Sequence, residues 1–158
     1  MQTVVLTDGE IAERVAILKR FRSLLEQQRL KFREYLTVLE KQESSITESK
    51  TDSLAQHAEL GEAIVAEIFT IQKVLDPLEY LYANVCDADS DEHIPDLKND
   101  LAVLQEQVIA QNKKNREILS TQMLGLRQQI ASLKRPYLYR ESIYAASADP
   151  ARFVDVSL

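Results

Sequence analysis

The chain has 158 residues, 45% of them hydrophobic and 28% charged, with only three glycines and four prolines. An average chain of this length carries roughly 11 Gly and 8 Pro, so the frequent turns of a β-sandwich or barrel and the clustered glycines of a nucleotide-binding loop are both excluded. With 19 Lys/Arg against 25 Asp/Glu, the net charge of −6 argues against a general nucleic-acid binder.

The N-terminal residues Met1–Asp8 have neither the basic start nor the apolar core of a signal peptide. Thr7 and Glu10 have capping-box spacing, with Asp8 as the alternative cap, and predict a helix from about Glu10 to Ser49. Inside it Ile11, Leu18, Leu25, Phe32, Leu39 and Ile46 form a seven-residue ladder, the spacing of coiled-coil packing. Ile17, Leu24 and Val38 make a second stripe. A helix apolar on two adjacent stripes packs against two partners, which calls for at least three helices.

The polar run Ser49–Ser53 predicts a hairpin, with Asp52 or Ser53 capping the next helix. The second seam runs through Leu54, Ala58, Gly61, Ile64, Ile68, Ile71, Leu75 and Leu78 and continues to Leu81 and Tyr82. Gly61 in that seam is either a point of close approach or a weak spot. Pro77 is expected to kink the helix, or to restart it with Asp76 as cap. Residues 84–95 read as an acidic loop, after which a third helix starts near Pro95-Asp96 and is closed by Pro136. Its seam passes Leu97, Leu101, Leu104 and Val108, turns polar at Gln111, Asn112 and Asn115, and resumes at Leu119, Met123, Leu126, Ile130 and Leu133. The polar layer either fixes helix register or faces water.

The last segment differs in kind. Residues 136–158 hold Tyr137, Tyr139, Tyr144 and Phe153, with Pro150 and no helical period. They read as an extended aromatic tail that either folds back on the bundle or binds a partner. The fold expected is therefore all-α: an elongated antiparallel bundle or coiled coil of about three long helices (residues 1–135), followed by the tail (136–158).

Little of the chain points to catalysis. Asp87, Asp89 and Asp91 start like a calcium loop, but the required Gly and Glu are Glu92 and Lys98. His57 and His93 lack zinc-ligand spacing, and Cys86, the single cysteine, has no motif around it. No enzyme, cofactor or metal role is expected. No apolar run reaches the roughly 18 residues of a membrane span, and the cysteine count suits a reducing, cytoplasmic setting. Two stretches are basic: residues 13–33 with a net of +5, and residues 113–140 with a net of +6. Each is either a solvated outer face or a surface for an acidic partner, a membrane or nucleic acid. For the second stretch, which leads into the tail, partner docking stands level with the solvated face.

Three elements resemble the FlgN family of flagellar export chaperones: Leu39-Glu40-Lys41-Gln42-Glu43-Ser44-Ser45-Ile46 followed by Asp52-Ser53-Leu54; Gln111-Asn112-Lys113-Lys114-Asn115-Arg116-Glu117-Ile118-Leu119; and Ser142-Ile143-Tyr144-Ala145-Ala146. The family often carries Gly soon after that tyrosine, where this chain has Ala145-Ala146. The resemblance implies a cytoplasmic, non-catalytic protein that covers the sticky helical ends of hook-associated proteins and hands them to the export gate. It places cargo contacts at Leu119, Met123, Leu126, Ile130, Leu133, Tyr137, Tyr139, Ile143 and Tyr144, with Tyr144 a contact for the export gate. The alternative is a structural coiled-coil adaptor or tether, with the tail as core or as the contact of a homodimer.

Overall fold

The computed structural model describes residues 6–85 and 92–138, with side chains up to Leu133 in the last helix. Among the described residues there are three helices and no strand: α1 (Asp8–Thr47), α2 (Thr51–Val85) and α3 (His93–Leu138). The chain is an all-α helical bundle. It divides into two structural units, residues 1–118 and 119–158.

In the first unit, α1 and α2 form an antiparallel hairpin, because partners advance in opposite directions. Ser45 meets His57 beside the turn, Lys31 meets Glu67, and Gln28 meets Gln72 further along. Helix α3 runs parallel to α1, with Asp100 beside Arg29 and Asn115 beside Leu39. At the end far from the turn, all three helices bury Phe21, Leu25, Leu75, Ile94, Leu97 and Leu101 together. Phe21 is fully enclosed. Its ring stacks on Tyr82 at 5.0 Å, and the Lys98 ammonium lies 5.6 Å from its centre, a cation–π distance.

The capping box at Thr7 forms. The Thr7 N–H donates to Glu10 Oε2 at 2.8 Å, and the Glu10 N–H donates to Thr7 Oγ1 at 3.4 Å. The main-chain N–H and then the hydroxyl of Thr7 hold the Glu10 carboxyl below its ordinary value. Helix α1 ends in a Schellman turn: the Lys50 N–H donates to the Ser45 carbonyl at 2.9 Å and the Ser49 N–H to the Ile46 carbonyl at 3.1 Å. Ser49 sits at φ 57°, the left-handed region usually held by glycine.

Several expected boundaries move. Helix α2 starts at Thr51 rather than after a cap at Asp52 or Ser53, since the Schellman turn ends α1 within three residues and the Lys50 carbonyl already accepts from the Leu54 N–H at 3.0 Å. Pro77 lies inside one continuous α2, so Asp76 caps no second helix; its carboxylate accepts from Gln72 Nε2 at 2.5 Å instead. Helix α3 starts at His93, two residues before Pro95. The missing N–H of Pro95 then falls in the first turn, where no intrahelical acceptor exists. The early start places Ile94 in the core. At the other end α3 passes Pro136 and reaches Leu138. Loss of one donor so near a helix end leaves the preceding turns intact.

The seam positions are not equally covered. Leu25, Leu39 and Ile46 are buried and Leu18 and Phe32 partly so, but the first rung, Ile11, is exposed. On α2, Gly61, Ile64 and Leu75 are buried while Ala58 and Leu81 are exposed. Gly61 is indeed a point of contact. A Cβ there would meet Tyr35 Cε2 at 3.4 Å, Val38 Cγ1 at 3.7 Å and Gln42 Nε2 at 3.8 Å. These are ordinary contact distances, so the site has room for a methyl group.

Candidate functional site

The third helix carries one seam with two fates. Leu97, Leu101, Leu104 and Val108 are buried. From Leu119 the same seam is open: Leu119 is 36% exposed, Met123 46%, Leu126 57%, Ile130 53% and Leu133 67%. Their steps of four and three residues put all five on one stripe of the helix. The change falls at the boundary between the two structural units. Leu124, 57% exposed, lies well round the helix from the stripe and is not part of it. Sequence periodicity passes over it, because it falls off the seam.

The polar layer stands where the seam changes. Asn115 is buried, and its Nδ2 donates to the Leu39 carbonyl at 2.8 Å. A carbonyl oxygen has two lone pairs, so Leu39 can accept this bond beside its helical one. Gln111 Nε2 donates to Asn115 Oδ1 at 3.0 Å and to Glu43 Oε2 at 2.5 Å. Lys114 Nζ lies 2.7 Å from Glu43 Oε1. The Lys114 ammonium, then the Gln111 amide, holds the Glu43 carboxyl below its ordinary value. Gln111 and Asn115 thus tie α3 to one height on α1. Asn112, half-buried, makes no hydrogen bond among the described residues. A second buried amide, Gln28, bonds Gln72, which in turn donates to Asp76. This α1–α2 pair has a spacing signal that apolar periodicity alone passes over: Gln28 stands three residues after Leu25 and four before Phe32, and Gln72 four after Ile68 and three before Leu75, so both lie on the apolar faces.

Three of the seven cations in the first basic stretch are ion-paired among the described residues. Arg22 lies 3.2 Å from Glu26 and Arg29 lies 3.1 Å from Asp100. Lys31 lies 2.9 Å from Glu34 and 2.7 Å from Glu67. Glu67 first, then Glu34, raises the Lys31 pKa. Around these three the surface is ion-paired and solvated. In the second stretch Lys114 is paired, but Lys113, Arg116 and Arg127 have no ion pair among the described residues.

His57 Nδ1 shares a hydrogen bond of 3.2 Å with the buried Ser45 hydroxyl, a structural role beside the α1–α2 turn. Among the described residues no three His, Cys, Asp or Glu side chains converge as a metal site, and no helix is long and apolar enough to cross a membrane. Tyr139, Ile143 and Tyr144, like Cys86 and Asp87, Asp89 and Asp91, lie outside the described residues, as does the Tyr137 side chain.

No protein-family model and no solved structure matches the chain. An uncharacterized protein of Treponema pallidum (strain Nichols) is 42% identical over 125 residues, covering 79% of this chain and 80% of the relative. With that identity over that share of both chains, this protein belongs to the same family as the Treponema pallidum protein.

Proposed function

We propose that the chain is an export chaperone of the FlgN type, acting in the cytoplasm on hook-associated proteins before they leave the cell. The observation that carries this reading is the open stripe Leu119–Met123–Leu126–Ile130–Leu133. A helix face of this pattern is what an amphipathic partner helix packs against, and the sticky helical ends of a hook-associated protein are such partners. Arg127, which has no ion pair among the described residues, shares this part of α3 and would favour an acidic flank on the cargo.

Magnitudes assign the tail a part in the same site. Burying an exposed Leu, Ile or Met fully is worth roughly 1.5–3 kcal/mol. The five stripe residues are already about half covered, so a partner gains on the order of 5 kcal/mol from them. A micromolar complex needs about 8 kcal/mol net. In this reading the three tyrosines Tyr137, Tyr139 and Tyr144 and the aliphatic Ile143 make up the difference, with Tyr144 presented to the export gate.

The test is co-purification of a hook-associated protein with the full chain. A chain lacking residues 139–158 should lose most cargo while far-UV helicity stays nearly unchanged. Undiminished cargo recovery would sink the reading. If the truncated chain instead changes from dimer to monomer with no cargo effect, the coiled-coil adaptor is the better description.

A further inference from the structure

We propose that an open groove in the first unit, flanked by α2 and α3 and floored by α1, is a second docking site, for an amphipathic helix of a partner protein. It uses other residues than the α3 stripe and does not depend on the chaperone reading.

The groove has a volume of about 630 Å³. Its floor is Tyr35, Leu39 and Gln42 on successive turns of α1. One wall is α2, with Ala58, Gly61, Val65 and Phe69; the other is α3, with Asn112 and Arg116. From Ala58 to Phe69 the α2 wall extends roughly 16 Å, about three helical turns. At the end far from the α1–α2 turn, Leu75, Leu97 and Leu101 close α2 against α3. Nearer the turn, the two helices leave Ala58 and Val65 exposed, and Phe69 is 66% exposed. Three helices with an apolar channel between two of them offer the seat of a fourth. Ala58, small and exposed, lets that helix approach closely.

The polar groups make the same point by contrast. Elsewhere in the helix interfaces, Gln28, Ser45, Gln111 and Asn115 are all hydrogen-bonded within the bundle. Those lining the groove are open to water instead. The Tyr35 hydroxyl and the Gln42 and Asn112 amides have no hydrogen-bond partner among the described residues, and Glu62 and Arg116 have no ion pair. An apolar channel edged by a few polar groups fits a binding site.

Charge selects the occupant. Glu62 stands on the α2 wall and Arg116 on the α3 wall. A helix with a stripe of Ala and Leu, a carboxylate on the α3 side and an ammonium on the α2 side meets both. The opposed charges also fix its direction, since turning it end for end places like charges together.

The probe is a fluorescein-labelled helical peptide of about 15 residues, with an Ala/Leu stripe, Glu along one edge and Lys along the other. It is titrated into the full chain and followed by anisotropy. Saturable binding is expected, and a peptide with Gln at both edges should bind several-fold more weakly at low salt. Ala58→Trp should weaken the Glu/Lys peptide by about tenfold or more without lowering the melting temperature, because position 58 is exposed. Phe69→Ala should weaken it too, and Arg116→Gln should do so by a margin that shrinks as salt is added. Leu126→Glu, outside the groove, should leave unchanged the part of the binding that Ala58→Trp removes. Binding that survives both Ala58→Trp and Phe69→Ala, or that Leu126→Glu removes, would overturn the assignment, as would absence of saturable binding. A dimer that Ala58→Trp converts to monomer would give the groove to a second copy and equally overturn it.

Discussion

Among the described residues Asn115 is the one buried amide in the α3 seam, and its replacement separates stability from register. In Asn115→Ala the bond to the Leu39 carbonyl is lost, a net of about 1 kcal/mol. Nothing is orphaned: Leu39 keeps its helical donor, and Gln111 keeps Glu43 as acceptor. The space left by the amide adds a cavity cost of the same order. The sum, about 2 kcal/mol, should lower the melting temperature by roughly 4–8 °C. Asn115→Leu also loses the bond but restores burial of roughly 1.5–3 kcal/mol, so its urea midpoint should match or exceed wild type. Register is where it should fail. Leu97, Leu101, Leu104 and Val108 repeat so that a seven-residue slide of α3 keeps apolar against apolar. Asn115, held to one carbonyl, is the buried group that opposes the slide, with the more exposed Gln111 and Lys114 contacts to Glu43 beside it. Amide NMR spectra of Asn115→Leu should show doubled or broadened resonances on α3, whereas wild type shows one set. A loss under about 0.5 kcal/mol in Asn115→Ala, together with a single sharp set in Asn115→Leu, would refute the register role.

The remaining predictions concern the backbone and the charges. Ser49→Gly relieves a left-handed residue in the Schellman turn and should stabilise by about 1 kcal/mol, read as a higher urea midpoint at constant slope; no gain would mean that Ser49 is not strained. Gly61→Ala should stabilise by about 0.5–1 kcal/mol, since its Cβ meets neighbours no closer than 3.4 Å; a lower melting temperature would show that Tyr35 cannot yield. The Glu10 and Glu43 carboxyls titrate below their ordinary value of 4.5 in the folded chain. Their contribution is therefore present above that pH and lost as pH falls through the folded values. The stability gap between wild type and Glu43→Gln should shrink between neutral pH and pH near 3, and a constant gap would refute it. Lys31 has the opposite sign: its raised pKa makes its contribution full below 10.5 and lost as pH rises through the folded value.

Periodicity reveals most of this fold because long helices impose it. The ladder from Leu18 to Ile46 and the seam from Leu97 to Val108 are legible as core, since burial on a helix must repeat every three or four residues. Helix ends are less legible. Thr7 and Glu10 announce their box, but the Schellman turn at Ser49 carries no glycine to mark it. Pro77, Pro95 and Pro136 look like breaks and are all housed inside helices. What a single chain's pattern cannot tell is which part of a seam is covered. Ile11, Ala58 and Leu119 obey the same spacing as their buried neighbours and are open, because cover depends on where a second helix lies. The α3 stripe therefore reads as core in the sequence and as surface in the fold. The groove floored by Tyr35 has no sequence signal at all, being an absence between two helices rather than a pattern on one.

The most direct test of the α3 stripe as a cargo site is calorimetric titration of a hook-associated protein into the full chain and into Leu126→Glu/Ile130→Glu. Both positions are more than half exposed, so the variant should melt as wild type does. Wild type should bind with a negative heat-capacity change, the mark of apolar burial, and the variant should bind about 100-fold more weakly or not measurably. Equal affinity for the two chains would contradict the assignment.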